Sequence, residues 1–296
     1  MGEAQATPVT RVWLITGCAS GFGRAFAEAV LASGDRLLAT ARRVELIQDL
    51  VERFPRQVRA VPLDVTRPEE VQAAVDAAII TFGQIDVLVN NAGYALVGAI
   101  EEIDDVELRK EFETNVFGTL CVIRATLPHM RARRQGHIIN VSSAMGIVGS
   151  AALGIYNSTK CAVEGLSEAL AVEVAPLGIH VTIVEPGAFR TNWASSSMVQ
   201  AARRISDYAA TSGWIRQSLS AYSGHQPGDP QRAAQALLQI VQASHPPLRL
   251  ALGTDALANM RCKIAHIEQD LAIWEGMTRS TNYAMNGHSQ KVGSPT

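Results

Sequence analysis

Val12-Trp13-Leu14-Ile15-Thr16-Gly17-Cys18-Ala19-Ser20-Gly21-Phe22-Gly23 is the stretch that decides the fold. Its first four residues are an apolar run of strand length. A helical pattern runs from Arg24 to Ala32. Between the two, glycines spaced GxxxGxG permit a tight turn and a close approach of backbone to a pyrophosphate. The helix behind the turn offers free N–H groups and the positive end of its dipole. Strand, glycine turn and helix in this order read as the opening of a nucleotide site.

Outward from that stretch, strands and helices alternate. Leu37 to Thr40 is a second strand, ending in Ala41-Arg42-Arg43. An acidic residue at such a strand end suits the ribose 2′-hydroxyl of NAD. Two guanidiniums suit a 2′-phosphate and favour NADP(H) over NAD(H). Val58 to Leu63 is a third strand, ending at Asp64-Val65. Asp64 there either accepts from an adenine amino group or caps the next helix, Pro68 to Phe82. Ile85 to Val89 is a fourth strand and runs into Asn90-Asn91-Ala92-Gly93. Repeated alternation of apolar strands with helices packs as a parallel sheet covered on both faces.

Asp104 to Arg131 is helical in pattern, with a break expected before Pro128, and holds Asn115 in its interior. Asn is intrinsically unfavourable there, which hints at a buried polar role. The strand Ile138 to Val141 ends on Ser142-Ser143; a glycine-punctuated loop leads to Tyr156-Asn157-Ser158-Thr159-Lys160. Tyr156 and Lys160 are four apart and share one helix face. An ammonium there is expected to pull the phenol below its ordinary pKa of about 10. A phenol so tuned exchanges a proton with an alcohol or carbonyl near neutral pH. Ser143 is placed to donate to the same carbonyl oxygen.

His180 to Val184 is a sixth strand, ending in Glu185-Pro186-Gly187. Residues 188–230 are rich in Ser, Ala and Gly, interleaved with Trp193, Met198, Tyr208, Trp214 and Tyr222, and read as a lid. With Tyr94, Ala95 and Leu96 they either line an apolar pocket for a hydrophobic or aryl ketone or pack on the protein's own helices. Gln231 to Ala243 is helix, Leu248 to Leu252 a seventh strand, and Asp255 to Met277 a final amphipathic helix; Gly287 to Thr296 reads as frayed. No internal repeat, heptad array or linker is apparent. Residues 1–296 therefore read as one domain, with a core at 10–187, the lid at 188–230 and C-terminal elements at 231–285.

Charged residues make up 18% and the hydrophobic set 47%, enough for a sizeable core. A net charge of −2 and a pI near 6.4 give no basic footprint for nucleic acid. Cys18, Cys121, Cys161 and Cys262 are scattered and read as reduced core cysteines. The seven histidines show no metal spacing, so no metal is expected. Without a signal-like segment or a membrane-length apolar run, a cytoplasmic protein is expected.

The ordered set Thr16-Gly17-x3-Gly21-x-Gly23, Asp64, Asn90-Asn91-Ala92-Gly93, Asn115, Ser143, Tyr156-x3-Lys160 and Pro186-Gly187 with Thr191 resembles the short-chain dehydrogenase/reductase family. The step of 13 positions from Ser143 to Tyr156 (156 − 143) fits the family's usual spacing. The similarity spans roughly Val12 to Thr191 and the strand near Leu248. It implies a doubly wound Rossmann fold with a seven-stranded parallel sheet. It also implies hydride exchange between NADP(H) and a carbonyl or alcohol substrate.

Under that resemblance Tyr156 is the general acid in reduction and the base in oxidation, and Lys160 lowers its pKa and holds the nicotinamide ribose. Ser143 orients the carbonyl, and Asn115 fixes a water in a proton relay. Gly17, Gly21 and Gly23, with Ser20 and Phe22, line the pyrophosphate. Asp64, Val65, Asn91, Ala92 and Gly93 follow the adenine and ribose side, Arg42 and Arg43 the 2′-phosphate, and Pro186, Gly187 and Thr191 the carboxamide end. The glycine turn and the region after Gly187 look like the branch near 17β-hydroxysteroid and retinol dehydrogenases. The resemblance further implies a homodimer or homotetramer, through helices near Val106–Arg131 and Asn157–Leu177. Two alternatives share the fold: an NADP(H)-binding sensor, which usually lacks the tyrosine or lysine, and an isomerase or dehalogenase, whose dehalogenating relatives have altered glycines.

Overall fold

Side chains alternate in direction along each strand, and here the alternation separates two apolar layers. Trp13 and Ile15 of β1 (Val12–Ile15) enter one cluster while Leu14 enters the other. Leu37 and Leu38 of β2 (Arg36–Ala41) divide the same way, as do Val87 and Leu88 of β4 (Val87–Asn90). The computed structural model describes residues 10–191 and 197–283; the expected frayed end at Gly287 to Thr296 lies outside them.

With β3 (Val58–Pro62), β6 (Gly136–Val141), β7 (Ile179–Pro186) and β9 (Arg249–Leu252), these strands form a seven-stranded sheet in the order β3-β2-β1-β4-β6-β7-β9. All of its pairings are parallel. Helices α1 (Gly21–Ala32) and α8 (Pro230–Gln242) cover one face. Helices α3 (Pro68–Phe82), α5 (Thr119–Arg133) and α6 (Gly154–Val174) cover the other. This is the doubly wound α/β architecture expected. The strand order reverses between β1 and β4, where such sheets open a crevice at their carboxyl ends.

Several local expectations need correction. Pro128 lies inside α5 without ending it. Its i−4 neighbour Arg124 is on the exposed face, where a carbonyl that loses its partner is solvated. The discontinuity falls earlier: α4 (Asp105–Phe112) passes through a π-helical turn at Glu113–Gly118, which contains Asn115, before α5 begins. A second sheet pairs β5 (Ala95–Val97) in parallel with β8 (Met198–Gln200). Of the cysteines, Cys18 is buried but Cys161 and Cys262 are exposed, so they are not core residues. The last helix, α9 (Thr254–Ser280), does not seat an apolar face on the sheet, because every described residue from 261 onward is exposed. Among the described residues no helix is long and apolar enough to cross a membrane.

Candidate active site

The carboxyl ends of β1, β4, β6 and β7 meet at one cleft of about 1680 Å3. At its floor Gly17 and Gly21 take φ values of +75° and +58°, which favour glycine. The Thr16 hydroxyl accepts from the amides of Asn91 and Ala92, both at 2.9 Å. The Asn91 side chain donates back to the carbonyls of Thr16 and Gly17 at 2.9 and 3.2 Å. The two nucleotide-type turns are thus bolted together. Ser20 makes no side-chain cap, so the first-turn amides of α1 are left for a ligand anion.

Gly23 departs from expectation. A Cβ there would lie 2.2 Å from the Gly17 carbonyl oxygen and 2.5 Å from Asn91 Nδ2. Its absence lets α1 pack under the turn, and Gly23 itself is not on the cleft wall. Gly17, Ser20, Gly21 and Phe22 are on that wall, as are Arg42, Arg43, Asp64, Val65, Asn91, Ala92 and Gly93. So are Pro186, Gly187 and Thr191 at the other end. Asp64 caps no helix: its carboxylate accepts from the amide and hydroxyl of Thr66 at 3.0 and 2.7 Å, and Arg67 precedes α3. Arg42 and Arg43 are exposed and have no ion-pair partner among the described residues.

Ser143 follows β6 in extended conformation, and its hydroxyl accepts from the Met145 amide at 3.1 Å. Asn157 ties the intervening loop to α6, donating to the carbonyls of Met145 and Val148 at 2.7 and 2.9 Å. Tyr156 therefore emerges from the first turn of α6 beside Ser143, 6% exposed. Lys160, equally buried, donates to the Val141 carbonyl at 2.8 Å and sits 5.7 Å from the centre of the Tyr156 ring. Asn115 holds the backbone of Tyr94, accepting from its amide at 3.0 Å and donating to its carbonyl at 2.8 Å. It also donates to the Thr159 hydroxyl at 3.1 Å. Ser143, Tyr156 and Lys160 converge on the cleft wall, while Asn115 lies buried behind it, off the wall.

Their electrostatics reverse one expectation. Burial pushes the Tyr156 phenol above its ordinary value, against a hydrogen bond from Ser143 that lowers it; the Glu111 charge raises it further. Spacing alone had suggested a depressed value. Desolvation of the phenolate dominates, and the lysine, whose ammonium lies 5.7 Å from the ring centre, is not among the leading causes of the shift. Burial likewise pushes Lys160 down to about 8, opposed by the charges of Glu111 and Glu164.

The segment after β7 divides between the two roles left open for it. Trp214 and Tyr222 line the cleft with Tyr94 and Leu96. Ala95 and Met198 instead join a small cluster with Ala152, Leu153 and Tyr156. Tyr208 donates to Glu101 at 2.8 Å, off the cleft. Trp193 is outside the described residues.

Three features escaped the motif reading. Glu111 is fully buried on α4, one turn before Asn115; one oxygen accepts from the Leu96 amide at 3.1 Å and the other has no partner. Burial pushes its carboxyl up to about 8, against that amide and the Lys160 charge. Its i, i+4 relation to Asn115 was the available signal. Glu102, 2% exposed at its side chain, pairs with Arg216 of α7 (Trp214–Ala221). Arg249 joins Glu164, Glu185 and Glu168 at 2.6, 2.5 and 2.7 Å, fastening α6, β7 and β9.

With this geometry stand the comparisons with known proteins. The family model described as short chain dehydrogenase matches residues 11–201, and the chain belongs to that family. It is 43% identical over 250 residues to oxidoreductase BOA17 of Botryotinia fuckeliana, covering 84% of this chain and 91% of that one. It is 36% identical over 245 residues to a 3-ketodihydrosphingosine reductase of Bacteroides thetaiotaomicron, covering 82% and 88%. A crystallised short-chain dehydrogenase from Streptomyces avermitilis is 44% identical, with a TM-score of 0.88 over 94% of this chain and all (100%) of that one. A Burkholderia phymatum relative in complex with NAD is 26% identical, with a TM-score of 0.78 over 88% and 95%. ElxO with NADP bound is also 26% identical, with a TM-score of 0.70 over 84% and 100%. The chain is thus an oxidoreductase for which a nicotinamide cofactor is supported. The left-handed glycine turn, the uncapped α1 and the continuous wall from Arg42 to Thr191 fit that group.

Proposed function

We propose that this chain interconverts a hydrophobic ketone or aldehyde and the corresponding alcohol with NADP(H), Tyr156 carrying the proton. The observation behind this reading is the Ser143–Tyr156 hydrogen bond at the cleft with Lys160 buried behind it. When bound, the nicotinamide supplies or removes hydride. Ser143 donates to the substrate carbonyl and orients it. Tyr156, kept protonated by burial, is in the form needed to donate to that oxygen in reduction. Lys160 is the nearby ammonium that favours loss of the phenolic proton in oxidation. Asn115 fixes the strap at Tyr94, which places Tyr94 and Leu96 on the substrate side.

NADP preference rests on Arg42 and Arg43, two guanidiniums without an ion-pair partner among the described residues. They stand on the cleft wall at the end of β2, where the strand carries no acid. We read residues 188–230 as a substrate lid on a single catalytic unit, with Trp214, Ile215, Leu219 and Tyr222 giving the cleft an apolar side. The long-chain ketone implied by the Bacteroides relative's name is in keeping with that side.

The test is NADPH and NADH oxidation across a ketone and aldehyde panel, with Tyr156→Phe and R42A/R43A alongside. NADPH turnover is expected, with at least a hundredfold loss in Tyr156→Phe. R42A/R43A should weaken NADPH and leave NADH unchanged. Intact turnover in Tyr156→Phe overturns the proton role, and NADH preference overturns the arginine argument. NADPH binding without turnover favours the sensor.

A further inference from the structure

Helix α9 runs for 27 residues, roughly 40 Å. Only its start touches the rest of the chain: Ala256 is buried and Asp255 accepts from the Ala188 amide at 2.7 Å. Every described residue from 261 onward is exposed. Most helical stability in proteins comes from packing an amphipathic face, and beyond its start this helix has no such packing within the chain. Yet it carries an unbroken apolar stripe of Leu257, Met260, Ile264, Ile267, Leu271 and Trp274. Five of these are 44–61% exposed, and Met260 is half-buried. Their alternating steps of three and four are the a and d positions of a two-helix seam.

The flanking charges identify the occupant. At the e and g positions the first heptad has Arg261 and Lys263, and the second has Glu268 and Asp270. None of these four has an ion-pair partner among the described residues. Set antiparallel against a second copy, Ile264 meets the partner's Ile267, Met260 the partner's Leu271, and Leu257 the partner's Trp274. The whole stripe is then covered. In that register Arg261 faces the partner's Glu268 and Lys263 faces the partner's Asp270. Two-fold symmetry repeats both pairs, so all four flanking contacts are of opposite sign. A parallel pair keeps Lys263 on the partner's Glu268 but sets Asp270 on the partner's Glu275, a like-charge contact. We infer that α9 is a self-association helix, pairing antiparallel with α9 of a second copy of this chain through the Leu257-to-Trp274 stripe. This interface is separate from the α4/α5 and α6 surfaces that the family resemblance implied.

The test is solution mass by light scattering on the full chain, 31.7 kDa as a monomer. The wild-type mass should be at least twice that, and Ile264→Asp with Ile267→Asp should halve it. Neither residue is buried or lines the cleft, and circular dichroism checks that the variant folds. R261E/K263E should weaken association at least tenfold, and adding E268K/D270K should restore it. In a C262S background, M260C chains mixed with L271C chains should form the mixed disulfide on oxidation. M260C self-linking would mean a parallel pair and overturn the register. A monomeric wild type overturns the inference, as does a mass insensitive to the Asp variant. A monomer that sediments with phosphatidylserine vesicles would assign the stripe to a lipid surface instead.

Discussion

Replacing Glu111 with glutamine isolates the buried carboxyl behind the catalytic cluster. Its pKa stands at about 8 against an ordinary 4.5, with burial as the leading cause. The folded protein therefore keeps this proton to a higher pH than the unfolded chain. Stability falls as pH rises wherever the folded state binds more protons, so the wild type is penalised progressively from about pH 4.5 to about pH 8 and fully above. The 3.5 pH units between those values, at about 1.36 kcal/mol each, set a ceiling of about 5 kcal/mol. That value already includes the lowering by the Leu96 amide and by the Lys160 charge, so neither is subtracted again. Glutamine cannot ionise, and its carbonyl still accepts from the Leu96 amide. Urea unfolding at half-unit steps from pH 5 to 9 should show Glu111→Gln gaining on the wild type with pH, by about 2–5 kcal/mol in all. Removing the Glu111 charge should also lower the Lys160 pKa further. Wild-type and variant stability curves that run parallel across this range would refute the reasoning.

Two other substitutions test the architecture around the site. Gly23→Ala forces a Cβ to 2.2 Å from the Gly17 carbonyl oxygen. It should cost about 1–3 kcal/mol in urea unfolding and weaken cofactor binding by displacing the glycine turn, as fluorescence titration would show. Arg216→Met leaves the Glu102 carboxylate buried without its cation. A broken buried pair costs about 3–5 kcal/mol. A lower Tm with a raised substrate KM and an unchanged cofactor Kd would mark α7 as part of the substrate wall.

The sheet was legible because its evidence is local. Each strand is a short apolar run, and the glycine turn between β1 and α1 admits few other structures. Ser143, Tyr156 and Lys160 were legible through spacing, since a step of 13 positions from strand end to helix and then one helical turn bring them together. Their proton affinities were not, because spacing carries no information on burial. A tyrosine and lysine four apart on an exposed helix would behave as expected; at 6% exposure each, desolvation dominates. Glu111 was missed for the same reason, because a glutamate among charged neighbours on α4 reads as solvated. The pairing of Ala95–Val97 with Met198–Gln200 joins two three-residue strands from distant parts of the chain, too short for a periodic signal.

Helix α9 marks a different limit. Its apolar period is plain in the sequence, and a final amphipathic helix was expected from it. An amphipathic pattern shows that one face is to be covered but not by what. In α1 and α8 the cover is this chain's own sheet. For α9 the described residues offer none beyond Met260, so the same pattern acquires the opposite meaning, an interface left open by the monomer. The steps of three and four, too few to stand out as a heptad array in the sequence, become informative once the sheet is excluded as partner. The sign change from Arg261 and Lys263 to Glu268 and Asp270 then sets direction, because only an antiparallel copy neutralises all four. Asp255, on the first turn of the same helix, holds the Ala188 amide just beyond Gly187 at the cleft. Covering the α9 stripe would therefore brace one wall of the substrate site, which makes association and substrate affinity properties to measure on the same preparation.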